Sequence, residues 1–242
     1  MSYDQLPLLK IINHEFNRGV STSYGLIVFC SSTQRWYIVR RKHTVGLLKI
    51  FWANFYPSEL PDIIYSLTSE HIKFLELAMV SEDEFIKSYF ELSNITDVET
   101  VKANYEKICR NKKILDTAIY NKLSSGDHKE LPWLWTKGQH DKGDSTFLDT
   151  AKREFLEESG LNSCPECTIH DEKIIVSFQC NNRKYTDIFW VCVFQEEFQL
   201  VKLESEDNEV SERCWLSTYE VLDCIIPEYI FTVSDALRIM EK

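Results

Sequence analysis

Glu154, Glu157 and Glu158 stand at i, i+3 and i+4 in a stretch, Ser145 to Ser159, whose apolar residues Leu148, Ala151 and Phe155 share one face of a helix. Gly160 follows directly and is placed to end that helix in the left-handed conformation. Three like charges within one turn repel one another and destabilise the helix unless cations offset them. Hard divalent ions with oxygen ligands are the natural offset, and Mg²⁺ or Mn²⁺ suits such a set. Ions of this kind retain water, bridge to substrate phosphates and lower the pKa of an attacking water. A glutamate-rich helix face without further context is usually only solvated, so the surrounding chain has to decide between the two readings.

The surroundings read as sheet and helix in turn. Ser23 to Cys30 and Trp36 to Arg40 are β-branched and aromatic runs joined by the polar Ser31 to Gln34, the pattern of a hairpin. From Pro57 to Leu123 the pattern becomes helical, with the capping-box spacings Ser81 to Glu84 and Thr96 to Glu99. Ser124 to Asp127 signals a turn, after which Leu131 to Trp135 reads as a short strand leading to Lys137 and Gly138. Beyond the glutamate helix, Lys173 to Phe178, Asp187 to Phe194 and Cys214 to Leu216 read as strands. Helices are expected over Thr218 to Cys224 and Val233 to Lys242.

With 242 residues, 44% of them hydrophobic, the chain can bury a real core. Its longest apolar run, Ile188 to Phe194, is far below the ~20 residues that span a bilayer and reads as a buried strand. Met1 to Phe16 mixes Asp4, Lys10, His14 and Glu15 with apolar residues, so neither a signal peptide nor processing is expected. The eight cysteines are scattered, several of them within strand-like runs, which fits free thiols in a reducing compartment. Cys164 and Cys167 form one C-x-x-C, but a structural zinc site needs two more well-spaced ligands and no second such pair exists.

A net charge of −11 argues against nonspecific coating of nucleic acid, which needs clustered cations. Two local blocks are nonetheless basic. Arg35 to Lys49 carries Arg35, Arg40, Arg41, Lys42 and Lys49 with no acid. Lys102 to Lys122 carries six cations, Lys107, Arg110, Lys112 and Lys113 among them, against Glu106 and Asp116.

Read from Arg153, the chain gives Arg-Glu-Phe-Leu-Glu-Glu-Ser-Gly-Leu. This resembles the Nudix box, whose core is R-E-U-x-E-E-x-G-U with U apolar. Every specified position matches, and chance agreement at a given start is on the order of one in ten million. The upstream part departs from the pattern. Gly138 is followed by five residues and Asp144, but eight residues separate Asp144 from Arg153, Ser145 stands where the family has Glu, and Thr136 replaces the usual Pro. Asp144 or Ser145 is expected to cap the helix.

The resemblance implies an α/β fold, a Nudix αβα sandwich with a mixed sheet and an inserted helical domain. Residues 1–56 would begin the Nudix domain, 57–126 form the helical insert, and 127–242 complete the domain with the box at 138–161. Glu154, Glu157 and Glu158 would be metal ligands, one of them serving as base, with Arg153 orienting them. The loop from Lys137 to Gly143 would contact metal and phosphate, Gly138 permitting close approach. Glu209 is the candidate for a further carboxylate from a later loop, with Glu204, Glu206 and Glu212 as rivals.

The helical block between Arg41 and Trp133 is similar to that of the mRNA-decapping Nudix enzymes of large nucleocytoplasmic DNA viruses of the asfarvirus and mimivirus type. The similarity extends to Ser23 to Ile27, Val39 to Lys42, Tyr105 to Lys113 and Trp133 to Gly138. It implies release of m7GDP from capped RNA in host mRNA turnover, an RNA-binding insert, and a location in the host cytoplasm or packaged in the virion. Arg40, Arg41, Lys42 and Lys137, with Lys107, Arg110, Lys112 and Lys113, would meet substrate phosphates and RNA. For cap stacking Trp36, Trp52, Phe55, Trp133 and Trp135 stay open. Two other readings stand beside this one: a hydrolase of diphosphoinositol polyphosphates or dinucleoside polyphosphates, and a non-catalytic RNA-binding protein on a Nudix scaffold.

Overall fold

The computed structural model describes residues 21–92, 97–126, 131–180, 183–200 and 210–242. They form two compact units, Lys42–Leu131 and a second made by the flanking parts of the chain.

The flanking unit is built on a mixed seven-stranded sheet. Strands β1 (Ser21–Cys30) and β2 (Arg35–Arg41) form the expected hairpin at one end, pairing Val28 with Tyr37 and Cys30 with Arg35. Toward the other end the two diverge, and β3 (Trp133–Leu134) and β4 (Thr136–Gly138) fill the opening. Val39 pairs with Leu134 on one edge, and Gly25 with Lys137 on the other. β5 (Cys167–Cys180) and β6 (Arg183–Phe194) extend the sheet beyond β1, with β6 parallel to it, while β7 (Val210–Ser217) pairs with β2. The polar ends of these strands belong to the ladders as well, so β5 runs well past the apolar stretch Lys173 to Phe178 seen in the sequence.

Strand alternation sends β1 and β2 residues to two cores. Tyr24, Leu26, Val28, Tyr37 and Val39 pack with Ala151 and Phe155 of helix α7 (Phe147–Ser159). Ile27, Phe29, Trp36 and Ile38 pack with α8 (Thr218–Cys224) and α9 (Ile230–Met240) through Val221, Val233 and Ala236. Helices thus cover both faces of a mixed sheet, the expected α/β sandwich. Ile188 to Phe194 is a buried strand, as its composition required.

The other unit is all helical among its described residues: α1 (Val45–Phe51), α2 (Leu60–Ser66), α3 (Ser69–Ala78), α4 (Glu82–Leu92), α5 (Val98–Arg110) and α6 (Lys112–Ser124). Helical structure starts before the expected Pro57, because Thr44 accepts a hydrogen bond from the Leu47 amide and caps α1. Ser81 caps α4 as expected, its hydroxyl accepting from the Glu84 amide at 3.2 Å. At α5 the cap is Asp97, whose carboxylate accepts from the Glu99 amide, while Thr96 lies outside the described residues. The core is apolar, with Phe51 stacked on Phe85 at 4.9 Å. No helix among the described residues is long and apolar enough to cross a membrane.

Candidate active site

The box helix α7 begins at Phe147, two residues after the expected Ser145. Neither Asp144 nor Ser145 is its cap. Thr146 is, its hydroxyl accepting from the Asp149 amide at 3.1 Å. Asp144 does something else. Its carboxylate accepts from Arg153 Nε and Nη2, each at 3.1 Å, a two-pronged clasp of the kind guanidinium groups favour. The Thr150 hydroxyl and the Asp141 amide also donate to Asp144, whose side chain is only 7% exposed. The eight-residue spacing therefore still delivers an acid to Arg153, because the residues after Asp144 are an extended entry to the cap rather than helix.

Arg153 also donates from Nη2 to the Gln139 carbonyl and pairs through Nη1 with Glu154 and Glu157, each at 2.9 Å. One guanidinium thus ties two box glutamates to the loop before the helix. Glu158 is held elsewhere. It is 7% exposed, accepts from the Lys137 backbone amide at 3.0 Å, and has Arg41 Nη2 at 3.9 Å. The arrangement brings Glu154, Glu158, Arg153, Arg41, Lys137 and Gly138 together, whereas Glu157, 57% exposed, faces solvent at the rim.

Gly138 is required by packing. A Cβ built on it would coincide with the Glu154 carboxylate, so the glutamate lies directly on the strand backbone. Gly138→Ala is expected to displace Glu154 and lower turnover about 100-fold, the order of loss for ångström-scale misplacement of a catalytic group. Folding cooperativity in a denaturant titration should be kept. Gly160 carries the positive φ of 69° that ends α7, and Arg213 Nη1 sits 2.8 Å from where its Cβ would be.

Arg213 was not singled out by the sequence. It stands opposite Val39 on β7, and with Glu158 it acts electrostatically on the Tyr37 phenol, which burial pushes well above the usual range. Asp187 was also missed. Only 2% exposed, it takes the Lys137 ammonium at 2.9 Å and the Tyr229 hydroxyl at 2.6 Å. Burial lowers the Lys137 pKa, and Asp187 opposes that shift. Lys137 was expected at substrate phosphate, and in the structure its ammonium is held by Asp187. The only sequence signal for Asp187 was an acid beside an apolar strand run.

The remaining cations divide. Arg40 lies over the Trp133 ring at 4.5 Å and pairs with Glu212 at 3.3 Å. In the helical unit, Lys107 donates to the Ala53 carbonyl at 2.6 Å, while Lys42, Arg110, Lys112 and Lys113 are exposed. Among the aromatic candidates Trp36, Trp135 and Phe55 are core residues, and Trp52 is exposed. Glu204, Glu206 and Glu209 lie outside the described residues.

Arg153 and the other donors hold the Asp144 carboxyl far below the usual carboxylate range. The folded state therefore binds that proton more weakly than the unfolded chain, where aspartate titrates near about 4. The clasp contributes its full stability above that value and loses it as pH falls through the folded pKa. Asp144→Asn is expected to cost about 1–3 kcal/mol at neutral pH. In thermal melts the gap between variant and wild type should narrow steadily as the pH is taken below 4.

The NUDIX domain family model matches residues 120–230, which include the whole of Arg153 to Leu161. No curated protein matches the sequence. Among solved structures, the chain is similar to the E. coli dihydroneopterin triphosphate pyrophosphohydrolase, at 12% identity and a TM-score of 0.44, covering 91% of this chain and 96% of that one. It is also similar to a C. elegans Ap4A hydrolase, at 10% identity and a TM-score of 0.45, covering 91% of this chain and 97% of that one. With the box glutamates seated on Gly138 and Lys137, Arg153 clasped by Asp144, and a sandwich of the expected layers, the chain carries a NUDIX domain over residues 120–230.

Proposed function

We propose that this chain is a metal-dependent phosphoanhydride hydrolase that cleaves the cap pyrophosphate of m7GpppN-RNA, releasing m7GDP and leaving a 5′-monophosphate on the RNA. The observation that carries the hydrolytic reading is the gathering of Glu154 and Glu158 onto the backbone of β4, with Glu157 tied to the same group by Arg153.

The donor set suits Mg²⁺ or Mn²⁺: the candidate ligands are the carboxylates of Glu154, Glu157 and Glu158 with the backbone at Gly138, which also leaves room for Glu154 against the strand. Among the described residues no three acidic, imidazole or thiol side chains stand in a ready-made ion-binding group, since Arg153 Nη1 lies between Glu154 and Glu157. Glu154, Glu157 and Glu158 would hold the ion, and Arg153 would keep its bonds to Asp144 and the Gln139 carbonyl through Nε and Nη2. When bound, such an ion polarises the phosphoanhydride and lowers the pKa of the attacking water. The protein's part is positional. The Lys137 amide fixes Glu158, the clasp fixes Arg153, and Arg41 contributes positive charge beside the carboxylates, where an incoming phosphate needs it.

Capped RNA is favoured as substrate by the helical unit, a separately packed body whose α5 and α6 carry exposed Arg110, Lys112 and Lys113, apt for a phosphate backbone. The test is a substrate panel with Mg²⁺ or Mn²⁺: cap-labelled RNA, free cap analogue, diphosphoinositol polyphosphate and diadenosine polyphosphate. Release of m7GDP from long capped RNA with poor cleavage of free cap is the expected result. Turnover of the inositol or dinucleoside compounds with capped RNA untouched would overturn the assignment of substrate. RNA binding without any turnover would overturn the hydrolase itself.

A further inference from the structure

Two neighbouring thiols stand where the loop that leaves the box helix meets β5. Cys164 lies four residues beyond Gly160 and Cys167 opens β5, their sulfurs 3.9 Å apart. Both are partly exposed, so a solute can reach them. Cys192, a fully buried residue of β6, stands two positions along from Cys167's own ladder partner Phe194 and acts on Cys167. Lys152 of α7 adds positive charge to the group. These contacts set the two thiols of the C-x-x-C apart. The neighbouring Cys192 and Cys164 thiols bring Cys167 below the usual thiol range, whereas burial pushes Cys164 above it. Elsewhere, Cys30 is buried, and burial raises both Cys214 and Cys224.

We propose that Cys164 and Cys167 form a reversible dithiol–disulfide site that exchanges with small disulfides of the glutathione class, Cys167 attacking and Cys164 resolving. In the first step the Cys167 thiolate attacks one sulfur of glutathione disulfide. The disulfide bond breaks, a mixed disulfide forms on Cys167, and the departing glutathione thiolate takes up the proton that Cys167 gave to solvent. In the second, Cys164 loses its proton and attacks the Cys167 sulfur, expelling a second glutathione, which is protonated in turn. The protein is oxidised by two electrons and one glutathione disulfide is reduced to two thiols. The sulfurs need to close from van der Waals contact to bonding distance, about 2 Å, which the loop of residues 160–166, outside regular structure, can supply.

This site is independent of the hydrolytic reading. It is tested on the whole protein by equilibration with defined ratios of oxidised and reduced glutathione, followed by acid quench, alkylation and peptide mass spectrometry. The expected product is a peptide spanning 164–167 that has lost two hydrogens and is restored by reductant. Cys164→Ser should trap a glutathione adduct on Cys167, and Cys167→Ser should leave Cys164 unmodified. Alkylation of Cys167 should outpace that of Cys164 by more than about tenfold. Protein that stays fully reduced while a control dithiol oxidises would overturn the proposal. So would oxidation elsewhere first, or stoichiometric zinc released only on thiol blockade.

Discussion

Glu157→Gln is expected to lower turnover of phosphoanhydride substrate by about 10²–10³-fold, the scale on which a group stabilising transition-state charge acts. Stability should change by less than about 0.5 kcal/mol. The two halves belong together. Glu157 is 57% exposed and its carboxylate pairs with Arg153 Nη1, which keeps Glu154 as partner, so the folded state loses almost nothing. Lost activity in a protein with an unchanged melting temperature would therefore report on chemistry rather than on damage. Kinetics at saturating metal, alongside a thermal melt, separate the two.

Asp187→Ala is expected to have the largest effect on stability, about 3–5 kcal/mol, because it leaves the Lys137 ammonium buried without its counter-charge. The Tyr229 hydroxyl loses its acceptor as well. Activity should fall beyond what unfolding explains, since the backbone amide of that same lysine holds Glu158. Adding Lys137→Met should recover much of the stability by removing the stranded charge, and urea titrations of wild type, single and double variants read the cycle. A single variant as stable as wild type would show that the buried pair does not anchor β4.

Much of the fold was legible because both its periods are plain in the chain. The apolar run at Ile188 to Phe194 and the α7 stripe of Ala151 and Phe155 name their partners, and Gly160 marks a stop that its positive φ realises. Polar strand ends were not legible, since β5 and β6 extend through residues that ladder pairing recruits regardless of composition. In the site, the glutamates followed from helical spacing together with the match of Arg153 to Leu161 to the Nudix core. Asp144 was visible only as a cap because a spacing argument assumes that the helix continues back to it, whereas the chain turns at Thr146 and the acid reaches Arg153 from outside the helix. Lys137 read as a phosphate contact because its ion pair comes from β6, fifty residues away in the chain, and no local pattern encodes that pairing.

The central claim is that one turn of α7 holds a divalent cation. Titration of the protein with Mn²⁺, followed by the paramagnetic resonance of the free ion, tests it most directly. The account predicts saturable uptake by wild type, sharply weakened by Glu154→Gln or Glu157→Gln and competed by Mg²⁺. Uptake that is absent, or that both variants leave untouched, would contradict it.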